Sequence, residues 1–299
     1  FAAELMADYL GYGFLDSSLW LKFRLDGTVD QAQSYESLRR AASGRRVVIP
    51  GFYGVMPDGS IHTFSRGGSD ITGALAAAAL DADVYENWTD VSGFLMADPK
   101  IVKDPRPIER ITYAELRELS YIGAQVLHEG TVSPVREKNI PLNIRNTNQP
   151  DHPGTMIRER FDESQADMES GSMITGIAGK KGFSVITLTK NGMSSELGVI
   201  RRILEVLERY NINVEYIPSG IDSVSLVVET GKSAPYIYQA MGDLEKEIKP
   251  DSLHLSDGMA VVAAVGRKTQ GPEELNIIVG VDGPDFERAI RVLYDSFVK

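Results

Sequence analysis

Arg66, Ser69 and Asp70 fall within one short run, TFSRGGSDITGALAAAAL, from Thr63 to Leu80. Two glycines precede Ser69 and an Ala-rich stretch follows Asp70, so the run predicts a helix N-terminus with unencumbered N–H groups and partial positive charge. Such an end holds an anion. Arg66 can fork onto a carboxylate, Ser69 can donate to it and Asp70 can accept from an ammonium group, which would serve a zwitterionic amino acid at both ends. The same residues also fit a plain capped helix with Ser69 or Asp70 as its N-cap, and the local pattern leaves both readings open.

A second polar cluster, Thr89-Asp90-Val91-Ser92-Gly93 and then Asp98-Pro99-Lys100, follows a predicted strand at Val84 to Trp88. Open α/β sheets bind ligands at the carboxyl ends of their strands, and nucleotide contacts fit there; taken singly, each dipeptide is also an ordinary turn signal. Gly231-Lys232-Ser233 imitates the end of a phosphate-binding loop, but Leu226 stands where its first glycine should be. Gly11 and Gly13 have no third glycine, and His128-Glu129 has no second histidine four residues on.

Composition narrows the chemistry further. The 299 residues contain no cysteine and four histidines, which removes disulfides, thiolate metal sites and a cysteine nucleophile, and no metal site is expected. The absence of thiols fits a reducing compartment. A formal net charge of −11 without any Lys/Arg cluster argues against nucleic acid as a partner. The longest apolar runs, Ala74 to Leu80 and Met259 to Val265, are far shorter than the roughly 20 residues that cross a membrane.

The elements that must position these residues follow from periodicity. The first half alternates β-type and helical runs, as in an α/β layer fold. Arg46 to Phe52 and Val84 to Trp88 read as strands, Ile71 to Leu80 and Tyr113 to Leu127 as helices, and Leu142 to Arg145 as a strand. Arg158 to Gly171 is polar and charged, a linker or exposed connection. Beyond it, strands at Val185 to Leu188, Ile212 to Ile217, Val224 to Val228 and Ser252 to Leu255 alternate with helical runs at Leu197 to Leu207 and Tyr236 to Ile248. This is the ferredoxin-like βαββαβ order. The tail repeats part of it, with strands at Met259 to Val265 and Leu275 to Val281 and a helix at Pro284 to Phe297. It is short by one helix and one strand, and Arg267 to Gly271 reads as a join between two pieces of a longer segment. The opening at Phe1, inside an amphipathic run, reads as a cut end.

The ordered blocks GFYG, TFSRGGSDITGALAAAAL, ENWTDVSGFLMADPKIV, ITYAELRELSYIGAQVLHEGTV, IPLNIRNT and HPGTMI resemble the second half of an aspartokinase catalytic domain, of the amino-acid kinase fold. The region after Ser172 resembles the paired ACT regulatory modules that follow it in that family. The resemblance implies a partial kinase domain over residues 1–160, a mostly parallel sheet with helices on both faces. It implies a linker at 161–171, a first ACT-like module at 172–258 and an incomplete second at 259–299. It also implies ATP-dependent phosphorylation, with Mg2+, of the β-carboxylate of L-aspartate, the entry to lysine, threonine and methionine synthesis, in the cytoplasm. A non-catalytic, amino-acid-sensing regulatory subunit is the alternative.

Carried over residue by residue, the resemblance puts Phe52, Arg66, Ser69 and Asp70 around the aspartate. Asp70 also orients the phosphoryl-transfer centre. Thr89, Asp90, Lys100, Gln125 and Val126 fall at nucleotide-contacting positions. Lys100 stands where many members have Arg, Gln125 where many have Lys, and Leu95 where Tyr is common. The ACT pair implies feedback by lysine or threonine at an interface between modules, with Met193, Gly198, Val214 and Glu215 as the candidate effector residues, and a homodimer joined through those modules. The family's Lys-Phe-Gly-Gly-Ser motif, whose Lys neutralises the transferred phosphoryl group, is not among these residues. By itself the chain is therefore expected not to be a competent kinase.

Overall fold

The computed structural model describes residues 1–124, 127, 129–161, 174–266 and 276–298. The expected nucleotide contacts Gln125 and Val126, most of the expected linker and the join at Arg267 to Gly271 lie outside the described residues. Two compact units emerge: Phe1–Pro99 with Lys103–Gly176, and Lys100–Val102 with Ile177–Lys299.

In the first unit, helix α1 (Ala2–Leu10) leads to strand β1 (Gly13–Phe14), α2 (Ser17–Trp20), α3 (Gln31–Ala42) and β2 (Val47–Val48), which pairs in parallel with β1. The strand expected over Arg46 to Phe52 is thus much shorter. Pro50 has no N–H to give a ladder, and Phe52 sits at φ 71°, outside the extended region. A hairpin of β3 (Tyr53–Val55) and β4 (Ile61–Thr63) follows, closed by Asp58, whose carboxylate accepts from the Ser60 N–H at 2.9 Å. Then come α4 (Gly68–Ala79), β5 (Tyr85–Thr89), β6 (Phe94–Leu95), β7 (Pro107–Ile108), β8 (Arg110–Thr112), α5 (Tyr113–Ile122), α6 (Glu129–Glu137), β9 (Leu142–Asn146) and β10 (Thr155–Arg158). The helix expected over Tyr113 to Leu127 stops at Ile122 because Gly123, at φ 126°, cannot continue it. The main sheet runs β5-β9-β10-β8, with β5/β9 and β10/β8 parallel and β9/β10 antiparallel. Trp20, Leu21, Phe23, Leu38, Leu75 and Ala79 form a buried core between α2, α3, α4 and the hairpin.

The second unit holds β11 (Ile174–Thr189, whose first three residues count with the first unit), α7 (Val199–Arg209), β12 (Val214–Tyr216), β13 (Ser223–Glu229), the single turn α8 (Thr230–Ser233), α9 (Ile237–Ile248), β14 (Ser252–Gly266), β15 (Asn276–Asp282) and α10 (Phe286–Phe297). The sheet order is β12-β13-β11-β14-β15. The α/β class and the βαββαβ order are as the sequence implies. The strands expected at Ser252 to Leu255 and Met259 to Val265 are one continuous strand, because Gly258, at φ 70°, absorbs the irregularity locally without taking the chain out of the sheet. Ile186, Leu188, Ile203, Val206, Leu207, Leu226, Leu244 and Ile248 bury the helix faces against the strands, the hydrophobic arrangement that the helical spacing requires.

Candidate substrate and nucleotide site

Helix α4 begins two residues earlier than a Ser69 cap, and three earlier than an Asp70 cap, would put it. Gly67, at φ 62°, is the N-cap and makes no side-chain cap bond, so Gly68, Ser69 and Asp70 form the first turn. Neither Ser69 nor Asp70 is the cap, and the first N–H groups of α4 remain open to an anion. The loop before β3 lies flush on this turn. A Cβ added at Gly51 would stand 2.9 Å from the Ser69 Cα, and one at Gly68 would stand 2.8 Å from the Phe52 Cβ. Only glycine permits that approach. The same loop is pinned by the Phe52 N–H, which donates to Thr72 Oγ1 at 3.0 Å, and by the Phe52 carbonyl, which accepts from the Phe64 N–H at 3.0 Å. Phe52 therefore holds its left-handed backbone with an exposed ring beside the helix end.

Strand β5 holds Asp70 from the other side. Asn87, buried on that strand, donates from Nδ2 to Asp70 Oδ1 at 2.9 Å, and the Tyr85 hydroxyl donates to the Asp70 carbonyl at 3.1 Å. Asn87 Nδ2 also donates to the Tyr85 hydroxyl at 3.2 Å. Burial pushes the Tyr85 phenol up to about 12, so it stays a donor. Asp70 Oδ2 and the side chains of Arg66 and Ser69 take no partner among the described residues. A carboxylate fixed in orientation, a free guanidinium and a free hydroxyl thus surround a helix N-terminus.

Two residues beyond Asn87, β5 ends at Thr89 and Asp90, whose side chains meet at 3.3 Å. The parallel register sets Thr89 beside Asn146 at the end of β9. Thr147 donates twice to the Thr89 carbonyl, from N–H at 2.8 Å and from its hydroxyl at 3.0 Å. Asn146 Nδ2 donates to Ser92 at 2.7 Å, and Ser92 donates to Gln149 at 2.9 Å. Strand β5 therefore joins the Asp70 cluster to the Thr89–Asp90 cluster. Lys100 groups with the second unit and carries a partner of its own.

In the second unit, Met193 is buried in the core and Val214 packs against it half-buried. Gly198 is the left-handed N-cap of α7, with open space where a side chain would be, and Glu215 accepts from Asn213 at 3.0 Å. The loop between β11 and α7 is held by the Asp251 and Asp222 carboxylates, which accept from the N–H groups of Asn191 and Gly192 at 2.7 and 2.9 Å. Gly231-Lys232-Ser233 lies in α8, with Lys232 paired to Glu229.

Sequence reasoning did not single out Asn87, Tyr85, Asn146 or Gln149. The alternation in Tyr85-Glu86-Asn87-Trp88-Thr89 puts Tyr85, Asn87 and Thr89 on one face, and that period was the available signal. Among the described residues no cluster of three His, Cys, Asp or Glu forms a metal cage, and no helix is long and apolar enough to cross a membrane.

A model of the amino acid kinase family matches residues 2–146. Aspartokinase 3 of Bacillus subtilis is 32% identical over 292 residues, covering 89% of this chain and 63% of that protein. Lysine-sensitive aspartokinase 3 of Escherichia coli is 30% identical over 222 residues, covering 74% of this chain and 48% of that protein. The chain thus spans from about half to just under two thirds of these relatives' length. The crystal structure of Clostridium acetobutylicum aspartate kinase superposes with a TM-score of 0.86 at 43% identity, covering 99% of this chain and 73% of that one.

Proposed function

Since the chain belongs to the aspartokinases of the amino acid kinase family, we propose that it binds L-aspartate at the N-terminus of α4 and a nucleotide at the end of β5. Together with the family's phosphate-binding Lys, which is not among these residues, the site would transfer the γ-phosphoryl group of ATP to the β-carboxylate. The observation that supports this most is the tie between Asp70 and Asn87, because it fixes a substrate-facing carboxylate to the strand that ends in Thr89-Asp90. Arg66 forks onto a substrate carboxylate, the Gly68 and Ser69 N–H groups and the Ser69 hydroxyl donate to the same anion, and Asp70 Oδ2 accepts from the ammonium group. Phe52 covers the carbon chain. In the transfer, a bond forms between a β-carboxylate oxygen and the γ-phosphorus while the bond from that phosphorus to the β–γ bridging oxygen breaks, giving aspartyl phosphate and ADP. Positioning and charge neutralisation supply most of the catalysis in such reactions.

Mg2+ fits these residues in a limited way. With no cluster of three His, Cys, Asp or Glu among the described residues, Asp90 would be the hard oxygen donor that holds the ion, and phosphate and water would supply its other ligands. When bound it neutralises charge on the β- and γ-phosphates. On this reading the reaction opens lysine, threonine and methionine synthesis in the cytoplasm. Lysine or threonine feeds back through the β11–α7 loop and Glu215, in a homodimer joined through the ACT modules.

Calorimetric titration of the protein with L-aspartate tests the first claim. The expected result is a single site whose affinity falls at least about tenfold in Arg66→Ala, the loss of one charge-assisted contact. No heat in the wild-type protein, or equal affinity in the variant, would overturn it.

A further inference from the structure

The face of β5 turned away from Asp70 carries Glu86 and Trp88, and the facing positions on β9 are Asn143 and Arg145. Arg145 ties this face together. Its Nη1 donates to Glu86 Oε1 at 3.0 Å, its Nη2 donates to the Pro150 carbonyl at 2.7 Å, and its guanidinium lies 4.7 Å from the centre of the Trp88 ring. Trp88 Nε1 donates to the other Glu86 oxygen at 3.2 Å. The side chain is mostly shielded, its Nε is buried with no partner, and each terminal nitrogen makes one of the two contacts. One contact, Glu86, lies on β5 three residues before Thr89. The other lies in the turn that follows Asn146.

That turn bonds the end of β5 directly. Thr147 holds the Thr89 carbonyl, and Asn146 and Gln149 hold Ser92, so the segments 89–93 and 146–150 form one hydrogen-bonded assembly. Resting on the reading that Thr89 and Asp90 meet the nucleotide, we propose that Arg145 is the positioning residue of the nucleotide end. From the opposite face of the sheet it fixes the strand and the turn whose mutual register presets the Thr89–Gly93 loop. It touches neither substrate. A planar fork that also stacks on an aromatic ring suits this task, and a lysine cannot reproduce it.

The proposal separates the two ligands, because the Asp70 cluster hangs on Asn87 and Tyr85 and not on Glu86 or Trp88. The test titrates MgADP and L-aspartate separately into the wild-type protein, Arg145→Ala and Arg145→Lys, and follows amide hydrogen exchange in the same samples. Arg145→Ala is expected to weaken MgADP at least about tenfold, to leave L-aspartate within about twofold, and to speed exchange in 89–93 and 146–150 but not in α4. Arg145→Lys, which keeps the charge and guards against misfolding of the alanine variant, is expected to show the same selective loss to a smaller degree. Equal weakening of both ligands, unchanged exchange in the two segments, or full retention of MgADP affinity by the lysine variant would each overturn it. A wild-type protein that binds L-aspartate but no MgADP would overturn the nucleotide reading itself and this proposal with it, an outcome distinct from variants that match a nucleotide-binding wild type.

Discussion

Tyr85 illustrates how much of the site depends on one half-buried hydroxyl. Its hydroxyl sits between the Asp70 carbonyl and Asn87, and burial raises its pKa from 10.0 to about 12. The folded state therefore keeps the proton between pH 10 and 12, where the unfolded chain has lost it. Proton uptake favouring the fold means that stability is whole below about pH 10 and falls as the pH rises through that window. Urea unfolding at pH 9 and pH 11.5 should show the wild-type protein losing about 1 kcal/mol or more beyond Tyr85→Phe, since a tenfold change in proton affinity corresponds to about 1.4 kcal/mol. Equal losses in both proteins would remove Tyr85 from the account.

The seam between α4 and β5 sets the element scale. A Cβ at Gly73 would stand 2.6 Å from the Tyr85 hydroxyl, so the helix meets the strand at a glycine. Replacing a mid-helix glycine by alanine ordinarily gains up to about 1 kcal/mol in helix propensity. Here the methyl group would drive the half-buried phenol away from Asp70. Gly73→Ala should therefore lower the melting temperature and weaken L-aspartate several-fold, and a stabilised variant with unchanged affinity would show that the seam has slack. The helix itself was legible in the sequence through its alanines and the Gly-Gly before them. Its start was not, because a left-handed Gly67 cap carries no side-chain signal. Likewise Arg66, Ser69 and Asp70 stand out as candidates by type and spacing, whereas the contacts of Asn87 and Arg145 reach across to neighbouring elements. Asn87 depends on how α4 packs on β5, with the alternation along β5 as its one local hint, and Arg145 depends on the β5/β9 register, which no local pattern encodes.

At the scale of the whole molecule, the net charge of −11 opposes the approach of an anionic nucleotide, while the positive groups that would receive it are few and local. Salt screens the two unequally, because the Debye length shrinks from about 30 Å at 0.01 M to about 8 Å at 0.15 M, long against contact distances. The association rate of MgADP, followed by the fluorescence of the half-exposed Trp88, should rise over that range. A rate that falls would mean that the local field outweighs the global one. Periodicity foretold the α/β class and the βαββαβ order, because both rest on hydrophobic alternation. It split β14 in two, since Asp257-Gly258 looks like a turn when read along the chain alone.

That unbroken strand has a mechanical consequence. From Ser252 to Gly266 it lies beside β11 and also carries β15 as its antiparallel partner. A beam of this kind does not let its ends slide independently, because a slip of one residue would turn every side chain to the opposite face. Strain arising among β12, β13 and the helices over them would reach β15 as a tilt. Gly258, at φ 70° and with its carbonyl pressed against Gly283, is the joint about which that beam would flex.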